Sequence, residues 1–430
     1  MKEKFIKSTI ILIIGGMFTK LLGIVIRMTM SRVTSIETVG LYMMILPTFS
    51  LMMAISQLGF AKSISKLVSE NRYKNKNLLF SILPVSLLIN ISLTIFLVFA
   101  SKFIATNLLH NSDAYLPILA ISLVLPFDSL SSILRGFFFG KEKMFPHIVS
   151  NLIEQIVRLL LMIFVIPLLN EFGIVITTVG LILINVISEL CSSLVLIFFL
   201  PKRFTIKKCD LRPNFGYIKD VLNISIPTTT TRIIGTIGYF FEPIILTSVL
   251  MSIGYSNSFI TREYGIITAF VMPILLLPGF FTNAISNAML PIVSREYSKK
   301  NISYIKRKLR TSLSISLLIS IICILIINLI PEWFLSFFYN TTEGINYLRF
   351  LSPIFILYSL ESPLSSFLEA TNHAKLVMYD NVIGIIIKTL VMFILSYFKI
   401  GLYGLLIGMI INILIVSSKH FMHVKKIINA

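Results

Sequence analysis

The chain has 430 residues, of which 56% are hydrophobic and only 13% charged, with a mean hydropathy of +0.90. That leaves too little polar surface to cover a water-soluble globule of this length, and an all-α polytopic membrane protein is the class that fits. The net charge of +19 raises nucleic acid as a partner, but the placement of the cations along the chain speaks against it.

Twelve apolar stretches, each of about 20 residues and so enough for a ~30 Å hydrocarbon core, are predicted near residues 8–30, 39–60, 78–100, 115–138, 147–168, 174–200, 221–250, 264–290, 311–331, 346–370, 377–398 and 401–422. The first follows Lys2, Lys4 and Lys7 in the manner of a signal peptide. It is too long for one, contains Lys20 and lacks a small-residue cleavage site, so an uncleaved first helix is expected. Lys20, Gly23 and Arg27 are spaced i, i+3, i+7 on one helical face. Lys20 lies some 12 residues inside its helix, roughly 18 Å at 1.5 Å per residue, too deep for its head to reach the interface. It is therefore expected to line a wet cavity. Arg27 is nearer the far end, where snorkelling explains it equally well.

The fourth span carries Asp128, and the fifth carries Glu154 and Arg158 at the i, i+4 spacing of an intrahelical ion pair. Glu189 follows on the sixth. The basic stretch from Pro201 to Lys219, with Pro213 and Gly216, reads as a linker, which divides the chain into 1–200, 201–219 and 220–430. On the seventh span Arg232, Gly235, Tyr239 and Glu242 repeat the stripe of the first, directly after Pro227 and Thr228 to Thr231. Those hydroxyls are expected to satisfy carbonyls that the proline frees. Asn283 and Asn287, four apart on the eighth span, face either the same cavity or a neighbouring helix. Trp333 with Phe334, Phe337, Phe338 and Tyr339 reads as an interfacial aromatic belt. Glu361 stands on the tenth span. On the eleventh, Lys388 has Gly384 four positions earlier in place of an acid, so it is expected to be the cation freer to meet a ligand. Asp128, Glu154, Glu189, Glu242 and Glu361 are expected to be counter-ions, with ion coupling as the alternative, because buried charges are seldom left alone.

Internal repetition decides the architecture. Ile6, Lys7, Lys20 and Gly23 recur at Ile218, Lys219, Arg232 and Gly235, offset 212. Ser131, Ser132, Leu134, Lys141 and Met144 recur at Ser365, Ser366, Leu368, Lys375 and Met378, offset 234, and Gly173 and Gly180 at Gly401 and Gly408, offset 228. Six spans per half is an even number, so the halves enter the membrane in the same sense. The expected fold is two six-helix bundles related by a parallel pseudo-twofold repeat, with substrate bound between them near the midplane.

Of the 38 Lys and Arg, 28 fall at the termini and in the loops after even-numbered spans, four on the opposite side, and six within spans: Lys20, Arg27, Arg158, Arg232, Arg349 and Lys388. This positive-inside pattern places both termini in the cytoplasm and makes the basic loops topogenic and lipid-facing, with no nucleic-acid partner. Cys191, Cys209 and Cys323 show no metal spacing and are expected as free thiols. The outward loops are short, and no Ser/His/Asp set, HExxH, Walker loop or Gly-rich phosphate loop appears. No enzyme, cofactor or metal is expected.

The run Phe5 to Met30 with its Thr19-Lys20-Leu21-Leu22-Gly23 core, then Val39-Gly40-Leu41-Tyr42, Ala61 to Val68, Arg135-Gly136 through Gly140, and Ile153 to Arg158 resemble the polysaccharide-flippase branch of the multidrug/oligosaccharidyl-lipid/polysaccharide exporter superfamily, its sporulation-type members especially. The resemblance extends over all twelve spans. It implies a V-shaped pair of bundles with a cationic cavity, in which cations of the first and seventh helices, here Lys20, Arg27 and Arg232, meet a pyrophosphate. Lys388 and Arg158 are further candidates for the anionic head group. Many flippases of this branch have fourteen spans, the last two forming a groove for the lipid tail. With twelve, the tail is expected in bulk lipid, or the substrate differs. The function expected is a monomeric flippase for a lipid-linked sugar pyrophosphate in the bacterial cytoplasmic membrane. A cation-coupled drug antiporter of the same superfamily and a non-transporting scaffold for wall assembly are the alternatives.

Overall fold

The computed structural model describes residues 2–70, 73–201 and 214–429, and side chains throughout these except at 2–14, 231, 399 and 429. The described residues hold helices and no strand. Most of the linker expected at 201–219, with Cys209, lies outside them, while Cys191 and Cys323 are free thiols.

Twelve spans are present. The first is α1 (Lys2–Val33), followed by α2 (Ile36–Gln57) continued by α3 (Phe60–Ser69), then α4 (Asn75–Phe103), α5 (Tyr115–Gly140), α6 (Met144–Phe164) with the short α7 (Ile166–Asn170), and α8 (Ile174–Phe198). The second six begin with α9 (Phe215–Ser252), then α10 (Asn257–Gly265), α11 (Met272–Leu275) and α12 (Pro278–Ser298) in one broken span, α13 (Ile302–Leu329) with the short α14 (Pro331–Tyr339), α15 (Ile345–Ala370), α16 (Ala374–Leu395) and α17 (Tyr403–Asn429). Eleven of these are long and apolar enough to cross a membrane on their fully described residues alone, and α1, at 32 residues, is the twelfth.

The chain divides into two compact units, Met1–Phe240 and Phe241–Ala430. This differs from the division expected at residues 200 and 220, because the first part of α9 packs with the first six spans. Ser225 and Ser63 share a hydrogen bond of 2.7 Å, Asp220 accepts one from Tyr73, and Val221 is fully buried in the cluster formed by Phe60, Ile64, Leu78 and Phe137.

Apolar burial does little to join helices in lipid, so small residues and buried hydroxyls do much of that work. A methyl at Gly136 would lie 2.8 Å from the carbonyl oxygen of Ala61, which brings α5 and α3 to backbone contact. Ser56 donates to Asn90 at 2.7 Å, and Ser86 bonds Ser129 at 2.5 Å, tying α2, α4 and α5. In the second unit Asn328 donates to Ser352 at 2.7 Å between α13 and α15. Trp333 and Phe337 are exposed and stacked with centroids 5.0 Å apart, as a belt needs. Tyr339 departs from that expectation, since it is buried and stacks on Phe270.

Two breaks set up the site. Leu58 (φ 39°) and Gly59 (φ 63°) are both left-handed and separate α2 from α3. In α9, the hydroxyls of Thr228, Thr229 and Thr230 bond the carbonyls of Ile224, Ser225 and Ile226 at 2.9, 2.7 and 2.9 Å. Each threonine thus bonds back along its own turn, whereas the carbonyl that Pro227 would free by helix geometry is that of Asn223.

Replacing Gly136 by Leu, which drives a side chain into the Ala61 backbone, is expected to cost about 1–3 kcal/mol. Ser86→Ala, which removes one interhelical hydroxyl bond and leaves buried Ser129 without it, should cost less, about 0.6–1.7 kcal/mol, in the same measurement, the thermal midpoint of the detergent-solubilised protein.

Candidate functional site

Lys20 and Arg27 stand on α1, whose buried stripe of Gly15, Ile26 and Met30 faces away from them. Gly15 fits closely against Ile148 of α6, and both cations lie exposed off that contact. No atom from outside the helix comes within 4 Å of where a methyl at Gly23 would stand, so the face they share is open.

Arg232 is exposed on α9, directly after the threonine run. Its Nη1 donates to Oε1 of Gln57 at 2.5 Å, and Nε2 of Gln57 donates to both carboxylate oxygens of Asp128 at 3.0 and 2.7 Å. Gln57 is the last residue of α2, so the helix break delivers it between α5 and α9. Sequence reasoning passed over it, because a neutral amide at a helix end carries no hydropathy or charge signal.

Deeper in the first unit lies an ion-pair network. Arg158 Nη2 donates to Glu154 Oε1 at 2.8 Å across one turn of α6. Arg135 Nη2 meets the other oxygen of Glu154 at 2.8 Å, Glu189 at 3.3 Å and the hydroxyl of Ser192 at 3.0 Å. Ser131 donates to Glu189 at 2.8 Å. Arg135 is therefore a seventh cation within the spans, not a member of the basic loops. Its place near the end of α5 disguised it, and its Ser192 and Glu189 partners are on a helix more than 50 residues away. Arg158 was a head-group candidate; here it is held to Glu154, and its side chain is only 23% exposed.

In the second unit Lys388 forms an ion pair with Glu242, which also accepts a hydrogen bond from Tyr264 at 3.3 Å. This corrects the reading of Lys388 as the cation freer to meet a ligand. The acid is absent from its own helix but arrives from α9, 146 residues away in sequence, and α16 keeps the lysine side chain only 17% exposed. Glu361 accepts from Ser417 at 3.1 Å, Asn283 accepts from Ser362 at 2.7 Å, and Asn287 is exposed. Arg349 pairs with Glu332 at 3.6 Å. A cavity of about 430 Å³ opens among Arg262, Glu263, Glu343, Tyr347 and Tyr403, where Arg262 is held to Glu343 at 2.5 Å and to Glu263 at 3.2 Å. No group of His, Cys, Asp and Glu able to hold a metal exists among the described residues.

A membrane-embedded helical duplication with structural ion pairs in both halves, and exposed cations on α1 and α9, defines a polytopic transporter-like protein. Residues 5–297 match the family model described as "Polysaccharide biosynthesis protein", and residues 243–394 match "MatE". The chain is 32% identical to "Stage V sporulation protein B" of Bacillus subtilis (strain 168), over 99% of this chain and 85% of that protein. In fold it is similar to an inward-facing multidrug resistance MATE family transporter, with TM-score 0.79, 16% identity, and coverage of 96% of this chain and 94% of that one. It is also similar to "Lipid II flippase MurJ, inward closed conformation", with TM-score 0.72, 19% identity, and coverage of 97% and 87%. The chain belongs to the polysaccharide biosynthesis protein family, within the exporter superfamily that joins the multidrug and polysaccharide branches, and it is a multi-pass membrane protein.

Substitutions at Glu154, Lys388 and Glu242 test the pairings. Glu154→Leu leaves Arg135 and Arg158 without their shared carboxylate and is expected to cost about 3–5 kcal/mol, read as a lowered thermal midpoint. Lys388→Glu should lower folded yield, and adding Glu242→Lys should restore much of it. Equal yields for the single and double variants would contradict the pairing.

Proposed function

We propose that the chain is a flippase that carries a lipid-linked sugar pyrophosphate across the cytoplasmic membrane by alternating access, as a monomer with both termini in the cytoplasm. The observation that supports this reading most is the division of labour among in-span cations. Within the spans of the first unit stand Lys20, Arg27, Arg135, Arg158 and Arg232 against Asp128, Glu154 and Glu189, a surplus of two positive charges. Arg135 and Arg158 are sheltered on carboxylates, while Lys20, Arg27 and Arg232 are exposed. A cation at membrane depth costs roughly 2.5–3.5 kcal/mol even on the mildest insertion scale. An exposed trio is sustained when it faces water and an anion rather than acyl chains.

The surplus of two suits a dianionic pyrophosphate. Two negative charges moving outward through an inside-negative potential of 100 mV gain roughly 5 kcal/mol, so direction follows from charge without a dedicated coupling ion. Among the proteins similar in fold is a lipid II flippase, whose substrate lies in the same chemical class. Transport rather than catalysis fits a chain without a reactive set among its in-span groups.

The antiporter reading gains from the "MatE" match over residues 243–394. It requires carboxylates available to a cationic drug, and Glu154, Glu189 and Glu242 are each engaged by a cation or hydroxyl of this chain. A scaffold for wall assembly has no need of exposed cations at membrane depth.

The test is reconstitution of the full chain into liposomes with a polyprenyl-diphosphate N-acetylhexosamine, scoring head-group accessibility on each leaflet. Lys20→Gln with Arg232→Gln is expected to slow flipping by about a hundredfold, equivalent to roughly 2.8 kcal/mol at 1.4 per decade, with the thermal midpoint nearly unchanged. Wild-type flipping by the double variant would remove the proposal's basis.

A further inference from the structure

The other in-span cations with described ion pairs sit on carboxylates: Arg135 and Arg158 on Glu154, Arg349 on Glu332, and Lys388 on Glu242. Arg232 differs in its acceptor. It is held by the side-chain amide of Gln57, a neutral group, and remains exposed. The amide is itself fixed. Both oxygens of buried Asp128 take hydrogen bonds from Gln57 Nε2, at 3.0 and 2.7 Å, and an ionised carboxylate can only accept. With its nitrogen committed to Asp128, the amide has its oxygen turned to Arg232.

The backbone makes this reach possible. Gln57 ends α2, and the left-handed Leu58 and Gly59 that follow turn the chain into α3. A methyl at Gly59 would lie 2.8 Å from Oγ1 of Thr229 and 2.9 Å from Oγ1 of Thr228. Only glycine lets the threonine turn of α9 come this close to the break, and Arg232 follows one turn later. The helix break, the threonine run and the arginine thus form one construction.

We propose that Gln57 is the positioning residue for Arg232, a neutral spacer that transmits the orientation set by Asp128 while leaving the guanidinium's charge available to an incoming anion. A carboxylate at position 57 would hold Arg232 in place equally well but would have to be displaced by the substrate. It would also stand against Asp128, where like charges repel. An apolar residue of similar length would leave the arginine's charge intact but its position unset. The two losses are separable by experiment. The inference rests on the reading that Arg232 meets a phosphate-type anion, and the test is built to tell the two apart.

The full-length protein is treated in detergent with phenylglyoxal, and modification of Arg232 is followed by peptide mass spectrometry over a series of inorganic pyrophosphate concentrations. Pyrophosphate should protect Arg232 in the wild type. Gln57→Glu should raise the half-protecting concentration about tenfold and Gln57→Leu about threefold, both with a lowered thermal midpoint because buried Asp128 loses its amide donor, so protection is compared at a temperature where each variant remains fully folded. Asp128→Asn should resemble Gln57→Leu. The double variant Asp128→Asn with Gln57→Leu should be no worse than Gln57→Leu alone, because the carboxylate acts through the amide. Wild-type protection in both Gln57 variants would overturn the positioning role, as would additive effects in the double variant. No protection of Arg232 in the wild type would overturn the anion-contact reading itself, and the inference with it.

Discussion

A charge brought to membrane depth must be met by an opposite charge, a hydrogen bond or water, and this constraint organises the whole chain. Glu154 answers it for two arginines at once, Arg158 from its own helix and Arg135 from α5, while Ser131 and Ser192 complete the shell around Glu189 and Arg135. Removing Glu154 leaves Arg135 and Arg158 without their shared carboxylate at membrane depth, a cost that argues for a structural role. Within the spans of the first unit, Lys20, Arg27 and Arg232 lie outside this network and are exposed.

The duplication keeps positions and changes chemistry. α5 and α6 run in step with α15 and α16 at an offset of 230, Tyr115–Gly140 against Ile345–Ala370 and Met144 against Ala374, so Arg158 corresponds to Lys388 and Glu154 to Gly384. In the first unit the sixth helix offers the acid, and cations come to it from α5 and from its own next turn. In the second, α16 offers the cation, and the acid comes from α9. Both solutions neutralise a cation at the equivalent place, Arg158 by an acid one turn earlier on its own helix and Lys388 by an acid from another helix. The second-half counterpart of α2 departs more: Pro47 lies inside a continuous helix, whereas Pro273 begins the four-residue α11 after a π-helical segment at Ile266–Val271.

Much of the fold was legible because span length and composition are local properties. Twelve spans and an all-α chain follow from patterns that a single window reveals, and the exporter superfamily was legible through the resemblance of particular runs, Thr19 to Gly23 and Ile153 to Arg158 among them. Glu154 with Arg158 was legible for the same reason, since one helical turn joins them. The less legible contacts are all non-local. Lys388 and Glu242 are 146 residues apart, and nothing around either names the other. Arg135 was counted with the loop cations because it stands near a span's end, although it falls inside the stretch expected at 115–138 and α5 runs on to Gly140. Gln57 is neutral, so neither charge nor hydropathy marks it, and only the turn at Leu58–Gly59 brings it to Arg232. The division of the units inside α9 was equally hidden, since Ser225 and Val221 reveal their partners only after folding.

The central claim is that the exposed cations of α1 and α9 face water in the membrane and not lipid. The most direct measurement places single cysteines at positions 20 and 232 in a cysteine-free background and follows their reaction with a charged, membrane-impermeant thiol reagent in vesicles. The account predicts that both react, and that a polyprenyl-diphosphate sugar slows the reaction. Two cysteines that stay unreactive, while controls at the helix ends label fully, would mean that these positions face acyl chains, and the account would be contradicted.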